Sequence, residues 1–329
     1  MRQRLLEGDV LPNKIHLWRL PDLPEPAFTY LGASKQAIVL LPIFYARRDP
    51  TAIEDWAVRS ALWARRSWLK FSDALHYDVA VKFYVEVESA WQILPIFDRS
   101  GVERDDIIFF HGNHFESDLK SNTGNKKTAV HTDTRLSGYD WVVVSDIDLF
   151  VASPDRTILP FFEKLFSAAP AFGAAKTSKP GDNKDNLIKS NWLDAIDNKE
   201  SRDDKITEWV NRAMKVLSTL QMSPYMCEGI DYKTCHNGLT VFPAKEYHRD
   251  YPEALEWLVE ATILLAADQC TWSMFDIKGH KVFDICDTFD IDFVLDWRVD
   301  LEKVGGRPYL FHFNNYETEH LWRDDLDIR

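Results

Sequence analysis

The chain has 329 residues, 45% apolar and 13% aromatic with 12 Trp and 20 Phe, which excludes a disordered chain and allows one large or two ordinary domains. A net charge of −13 excludes general binding to nucleic acid or an anionic membrane through long-range charge, and leaves room for a local basic groove that takes a phosphate group. Cys227, Cys235, Cys270 and Cys286 show no CxxC spacing and read as free thiols of a reducing compartment. The opening Met1–Glu7 is too charged for a signal peptide, and no run of about 18 apolar residues suggests a membrane span. A cytoplasmic protein is expected.

Residues 1–36 mix charge with Pro12, Pro21, Pro24 and Pro26 and read as an N-terminal extension over the surface of a domain at 37–329. The first strand is expected over Ala37–Phe44, followed by a helix over 51–71 that offers Trp56, Val58, Leu62, Trp63 and Trp68 for burial. A strand at Asp78–Val85, a helix at Glu88–Phe97 bent or started near Pro95, and a short strand at Asp106–Phe110 come next. After a polar loop at His111–Asn125, Lys127–Leu136 reads as helical and leads through Gly138 into the next strand. Strand and helix alternate, the signature of an α/β fold with a mixed, mostly parallel sheet flanked by helices. No G-x-G-x-x-G stands at any strand–helix turn, so the usual dinucleotide fingerprint is absent.

In the second half, a helix is expected from Ser153-Pro154-Asp155 to about Ala168, a strand at Ala171–Lys176 and a helix at Asp203–Leu220. Leu239–Phe242 reads as a strand and Tyr247–Leu265 as largely helical around Pro252. Asp268-Gln269 opens another helix, Lys281–Ile285 is a strand, and Tyr309–Phe313 is the last. With no Gly/Ser or Pro-rich linker and no repeat, this half extends the first sheet.

The chain is organised around Tyr139–Val151, where Trp141-Val142-Val143-Val144 run into Ser145-Asp146-Ile147-Asp148. So long an apolar run reads as a strand buried on both faces. If the backbone stays extended, a spacing of two points both carboxylates to one side. Like charges so close repel unless a cation lies between them. In open α/β sheets ligands bind beyond the carboxyl ends of the strands. Asp146 and Asp148 therefore read as ligands of Mn²⁺ or Mg²⁺, which bind protein through one or two carboxylates plus substrate phosphates. A pair of turn or capping carboxylates is the plainer alternative.

Other candidates are weaker one by one. His312, among Leu310, Phe311 and Phe313, fits either a core histidine or a third metal ligand. Lys127, His131 and Arg135, at i, i+4 and i+8, would stack on one helix face as a solvated basic stripe or as electrostatic contacts to a diphosphate. Asn237-Gly238 reads as a turn before a strand, Glu228 and Asp231 lie in a polar loop, and Asp268 suits a helix N-terminus.

Taken in order, a hydrophobic strand into Asp146-Ile147-Asp148, Asn237-Gly238 before a strand, Asp268-Gln269 on a helix and the late His312 resemble the nucleotide-sugar glycosyltransferases of the GT-A fold, closest to the glycogenin-like and galactosyl- or xylosyltransferase groups. The resemblance spans about residues 37–315, and only its first motif is specific. It departs at the end, where Phe313-Asn314-Asn315-Tyr316 stand in place of the Gly and Lys-Pro-Trp that usually follow the histidine. The resemblance implies a metal-dependent transfer of a hexose or pentose from a nucleoside-diphosphate sugar, UDP-sugar first, to a hydroxyl of a glycan or other acceptor. It implies a donor half at 37–170 and an acceptor half at 171–329. Pro42, Phe44 and Tyr45 would border the base, with Ile147, Gly238 and, for the diphosphate, Lys127 and His131 as further donor contacts. Asp146, Asp148 and His312 would hold the metal, with Asp268, Glu228 or Asp231 as base if the reaction inverts. The resemblance leans to retention, where Asp268 or Asn237 would orient sugar and acceptor.

Two other classes fit parts of the pattern. A haloacid-dehalogenase-like phosphatase would use Asp146 as a nucleophile with Mg²⁺ alongside, but expects the motif on the first strand and Thr or Val where Phe150 stands. A non-catalytic carbohydrate-binding protein draws on the Trp content, yet most Trp fall at helical spacing and read as core.

Overall fold

The computed structural model describes residues 35–44, 55–72, 78–112, 124–152, 159–176, 235–265, 279–289, 291–294 and 309–312. The first strand, β1 (Gln36–Ile43), is buried along nearly its whole length. Its alternate residues serve two different layers, as the period-2 geometry of a strand requires. Ala37, Val39, Leu41 and Ile43 join one apolar cluster, with Val58, Ala61, Ala64 and Trp68 of α1 (Asp55–Ser72) and Ile93, Leu94 and Phe97 of α2 (Ala90–Arg99). Ile38 and Leu40 join the other, with Val130, Leu136, Leu255 and Leu258. Apolar residues at every position from Ala37 to Ile43 are thus what a helix layer on each face demands.

Helix α2 runs through Pro95. It stops at Gly101, whose φ of 70° suits the left-handed position just past a helix end. The Val102 amide donates back to the Phe97 carbonyl at 3.1 Å and the Gly101 amide to that of Asp98 at 3.3 Å, which closes the end.

β1, β2 (Asp78–Glu86) and β3 (Ile107–Phe110) are parallel neighbours, and the chain then crosses to β4 (Trp141–Ser145), parallel to β1 on its other side. Beyond β4 lie β7 (Cys235–Phe242), β6 (Phe172–Lys176) and β8 (Val282–Asp284), giving a seven-stranded sheet in the order β3-β2-β1-β4-β7-β6-β8. β7 is antiparallel to both its neighbours, and β6 and β8 are parallel. The mixed, mostly parallel sheet flanked by helices is the expected architecture, within a single domain. A second sheet, β5-β10-β9, joins β5 (Leu149–Ala152), β10 (Tyr309–His312) and β9 (Asp292–Val294). Helices α4 (Leu159–Ser167), α5 (Ala244–Asp250), α6 (Pro252–Leu265) and α7 (Ile285–Phe289) pack on the sheet faces. No helix among the described residues is long and apolar enough to cross a membrane.

Three sequence expectations are corrected. The strand that runs into the Asp pair ends at Ser145, and the backbone does not stay extended through Asp146 and Asp148; the apolar residues after them form β5, in a different sheet. The helix read over Lys127–Leu136 is three short pieces: a 3₁₀ turn at Gly124–Thr128, α3 (Ala129–Thr132) and a 3₁₀ turn at Thr134–Leu136. The break falls at Asp133, whose backbone is extended and whose carboxylate accepts from the Arg135 amide, starting a new turn. Asn237-Gly238 lies inside β7 rather than in a turn before it. Tyr45, Glu228, Asp231, Asp268 and the helix expected at 203–220 lie outside the described residues.

Candidate active site

The order β3-β2-β1-β4 reverses between β1 and β4, and the carboxyl ends of two strands that diverge in this way leave a crevice. Pro42 of β1 and Phe44, the residue just past it, lie at that end of the strand. Pairing of β1 with β4 ends at Leu40 opposite Val144, while pairing with β2 continues to Ile43 opposite Val85. Pro42, which has no amide hydrogen for a ladder, is buried in the strand, and Phe44 is half-buried against the core.

β4 brings Asp146 to the other side of the crevice. The Asp146 amide donates to the Gly238 carbonyl of β7 at 2.8 Å, and the Leu149 amide donates to the Asp146 carbonyl at 3.1 Å. The second bond closes a tight turn over Asp146–Leu149. The two carboxylates therefore sit on a turn and not on an extended strand, so strand alternation does not govern where they point. Ile147 packs against the core and Leu149 is fully buried, pinning the turn from within. Asp146 is half-buried and Asp148 buried. Ser145 is the hinge: its hydroxyl accepts from the Trp68 indole at 3.1 Å and donates to the Asp146 carbonyl at 3.2 Å. A helix residue on the sheet face thereby reaches the turn.

β10 runs antiparallel to β5 with His312 opposite Leu149, the residue after Asp148. The register brings the backbone of a residue near the end of the chain beside the Asp pair. β7 carries an irregularity at the same level. Ala174 of β6 faces Thr240 and Ala175 faces His236, so Asn237, Gly238 and Leu239 form a bulge in β7. Bulges concentrate near functional sites, where they redirect a strand, and glycine inside a strand often marks one.

Lys126 and Lys127 both lie on the turn at Gly124–Thr128. The Lys127 ammonium is 2.9 Å from Asp146 Oδ1, with side chains 13% and 25% exposed. The Lys126 ammonium is 2.6 Å from Glu86 Oε1 at the end of β2, with side chains 4% and 0% exposed. Glu86 is fenced further: the Ser89 hydroxyl is 3.4 Å from its Oε2, and a Cβ on Gly112 would come within 2.1 Å of its Oε1. A larger residue at 112 would collide with this carboxylate. Lys127 was expected against a diphosphate and is found on Asp146. The pair made by its neighbour was not anticipated, because nothing in the local pattern of Glu86 marks it as buried.

His131 and Arg135 are not on a common face with Lys127. His131 is buried with its ring 4.9 Å from that of Phe242 and 6.0 Å from that of Phe172, and Nδ1 lies 3.1 Å from the Thr128 carbonyl. Burial pushes its pKa down to about 4, so the imidazole is neutral at pH 7 and brings no charge to a diphosphate. The expectation is corrected to a core histidine. Arg135 grips Asp133 and donates to the Phe109 carbonyl at 2.8 Å, and Asp133 also accepts from the Tyr84 hydroxyl at 3.1 Å. Burial, and then Asp133, push the Tyr84 phenol well above its ordinary range, so it stays protonated as a donor.

Among the described residues no group of three or more His, Cys, Asp or Glu converges to hold a metal. The described donors are the two carboxylates, oxygen ligands on one turn at the mouth of the crevice. That donor set fits Mg²⁺ or Mn²⁺, which keep several positions for water and phosphate, and not zinc.

The fold and this acidic turn define the molecule as an α/β protein with a candidate anion- and cation-binding crest at a topological switch point. No protein-family model matches the sequence, and no curated protein sequence matches it. Among solved structures the chain is similar to mouse xyloside xylosyltransferase 1 in its apo form, at 14% identity and a TM-score of 0.44, covering 86% of this chain and 98% of that one. It is similar to the galactosyltransferase LgtC with donor and acceptor sugar analogues, at 13% identity and a TM-score of 0.36, covering 75% and 72%. It is also similar to the mannosyltransferase Ktr4p of S. cerevisiae, at 12% identity and a TM-score of 0.39, covering 83% and 72%. All three are named as glycosyltransferases.

Proposed function

We propose that the chain is a metal-dependent glycosyltransferase that moves a hexose or pentose from a nucleoside-diphosphate sugar, UDP-sugar first, to a hydroxyl of a glycan or other acceptor. The observation that carries this reading is the tight turn bearing Asp146 and Asp148 at the β1/β4 switch point, with His312 in register beside it. Asp146 and Asp148 would hold Mn²⁺ or Mg²⁺, with His312 as a third ligand. When bound, the cation supplies fixed positive charge to the leaving diphosphate, where negative charge grows as the sugar–oxygen bond breaks. Lys127, half-buried beside Asp146, adds a second positive charge at the same crest.

On the base side, Pro42, Phe44 and Tyr45 would border the nucleoside at the end of β1, and Ile147 and Gly238 the sugar–diphosphate. The carbonyl of Gly238 is already engaged with the Asp146 amide, so the β7 bulge and the acidic turn form one unit. On the acceptor side, Asp268, Glu228 or Asp231 would take the acceptor proton in an inverting reaction. In a retaining one, toward which the reading leans, Asp268 or Asn237 would orient sugar and acceptor.

The test is a screen of UDP- and GDP-sugars with Mn²⁺, read by thermal shift and by sugar release, with EDTA as control. A metal-dependent shift and turnover with one donor is expected. A beryllofluoride adduct on Asp146 with no response to any nucleotide sugar would instead identify a phosphatase. Sugar binding that survives EDTA and Asp146→Ala would identify a binding protein.

A further inference from the structure

Resting on the metal reading above, we infer that Lys127 is a built-in counter-ion of Asp146, and that a divalent cation binds this turn only by displacing it. The Lys127 ammonium lies 2.9 Å from Asp146 Oδ1, on the same carboxylate that a metal at this turn would use. A divalent ion arriving at that carboxylate meets a positive charge already there, and the two repel. An ordinary surface lysine would swing aside at little cost, because exposed pairs hold weakly. Lys127 is not free in that sense. The preceding residue, Lys126, is fixed on Glu86 at 2.6 Å with both side chains almost wholly buried. The backbone of the short turn Gly124–Thr128 is thereby clamped to the end of β2, one strand away from β1, and Lys127 is delivered to Asp146 from a set position.

The arrangement has two consequences. With no substrate present one of the two carboxylates of the acidic turn is already paired from within, which lowers its affinity for a bare metal ion. A diphosphate gives the displaced ammonium another anion to meet, so metal and nucleotide are favoured together over metal alone.

The experiment titrates Mn²⁺ alone, without nucleotide sugar, into the full chain and follows the electron paramagnetic resonance signal of the free aqueous ion. Lys127→Met should bind Mn²⁺ about tenfold more tightly than the wild type, the scale of one partly screened unit charge. Lys127→Arg keeps the charge and should bind as weakly as the wild type. Lys127→Gln, a polar second variant, carries the same expectation as Lys127→Met, and circular dichroism checks that each is folded. Affinity in Lys127→Met and Lys127→Gln equal to or weaker than the wild type overturns the inference while the metal reading stands. If no variant binds Mn²⁺, or if Asp146→Asn on the Lys127→Met background leaves binding unchanged, the metal reading falls and the inference with it.

Discussion

Lys126 and Lys127 are neighbours in the chain and end on carboxylates of opposite character. Lys126 meets Glu86 where neither side chain touches water to any extent, while Lys127 meets Asp146 on a half-open turn at the mouth of the crevice. A buried charge is held by its partner, because losing that partner leaves it with no solvent to turn to. A pair at the edge of solvent keeps another option, because an arriving ligand can offer either group a new partner. The first pair therefore belongs to the architecture, and the second to whatever binds at the crest.

The sharpest way to separate the two is at the acidic turn. Asp146→Asn or Asp148→Asn should lower metal-dependent nucleotide-sugar turnover by about a thousandfold or more, the scale seen when fixed transition-state charge stabilisation is lost. The melting temperature of Asp146→Asn should barely change, since Lys127 can reach water. Steady-state rates with Mn²⁺ beside a thermal melt check both halves of the statement.

Glu86→Gln should behave in the reverse sense. Stranding the Lys126 ammonium in the interior should destabilise the fold by about 3–5 kcal/mol. The double variant Glu86→Met with Lys126→Met, which removes both charges, should recover most of that loss in urea denaturation.

His131, on α3 just after the lysine turn, probes a second buried site. Its pKa is about 4 in the folded chain and about 6.5 when unfolded. The unfolded state therefore binds the extra proton first as pH falls. Stability should be fully present above about pH 6.5 and decline by about 3 kcal/mol on the way down to pH 4. His131→Leu should flatten that part of the stability–pH curve.

Trp68→Phe gives the smallest effect. It keeps most of the apolar packing against Phe161 and Phe162 but removes the indole donor to Ser145. A cost of about 1–2 kcal/mol is expected from the lost buried hydrogen bond. If Ser145 does hinge the turn, a several-fold fall in turnover should accompany it, whereas a purely structural role would leave turnover per folded molecule unchanged.

Much of the sheet was legible because burial on both faces leaves a mark that composition cannot hide. β1, β2, β3 and β4 are runs of apolar residues, and their order with intervening helices predicts a parallel sheet. The acidic turn was legible for a related reason: two Asp directly after such a run demand an explanation. Whether the backbone stays extended through Asp148 was not legible, because a turn closed by Leu149 on Asp146 depends on β4 and β5 entering different sheets. The helix over Lys127–Leu136 failed on a single residue. Asp133 caps a new turn instead of continuing the old one, and periodicity does not register a side chain that prefers its own backbone. The three-residue strand β9 is too short to leave a pattern.

By itself, then, the sequence determined which segments are strands of a buried, mostly parallel sheet and that acidic residues follow the central one. Local apolarity and charge suffice for that, because each is a property of contiguous residues. Only the tertiary structure decided which charges meet. It brought His312 into register beside the Asp pair, set a bulge of β7 against Asp146, and turned Lys126 inward to Glu86 and Lys127 outward to Asp146. Those pairings join residues far apart in the chain, and they follow from strand order and burial, which no local pattern encodes.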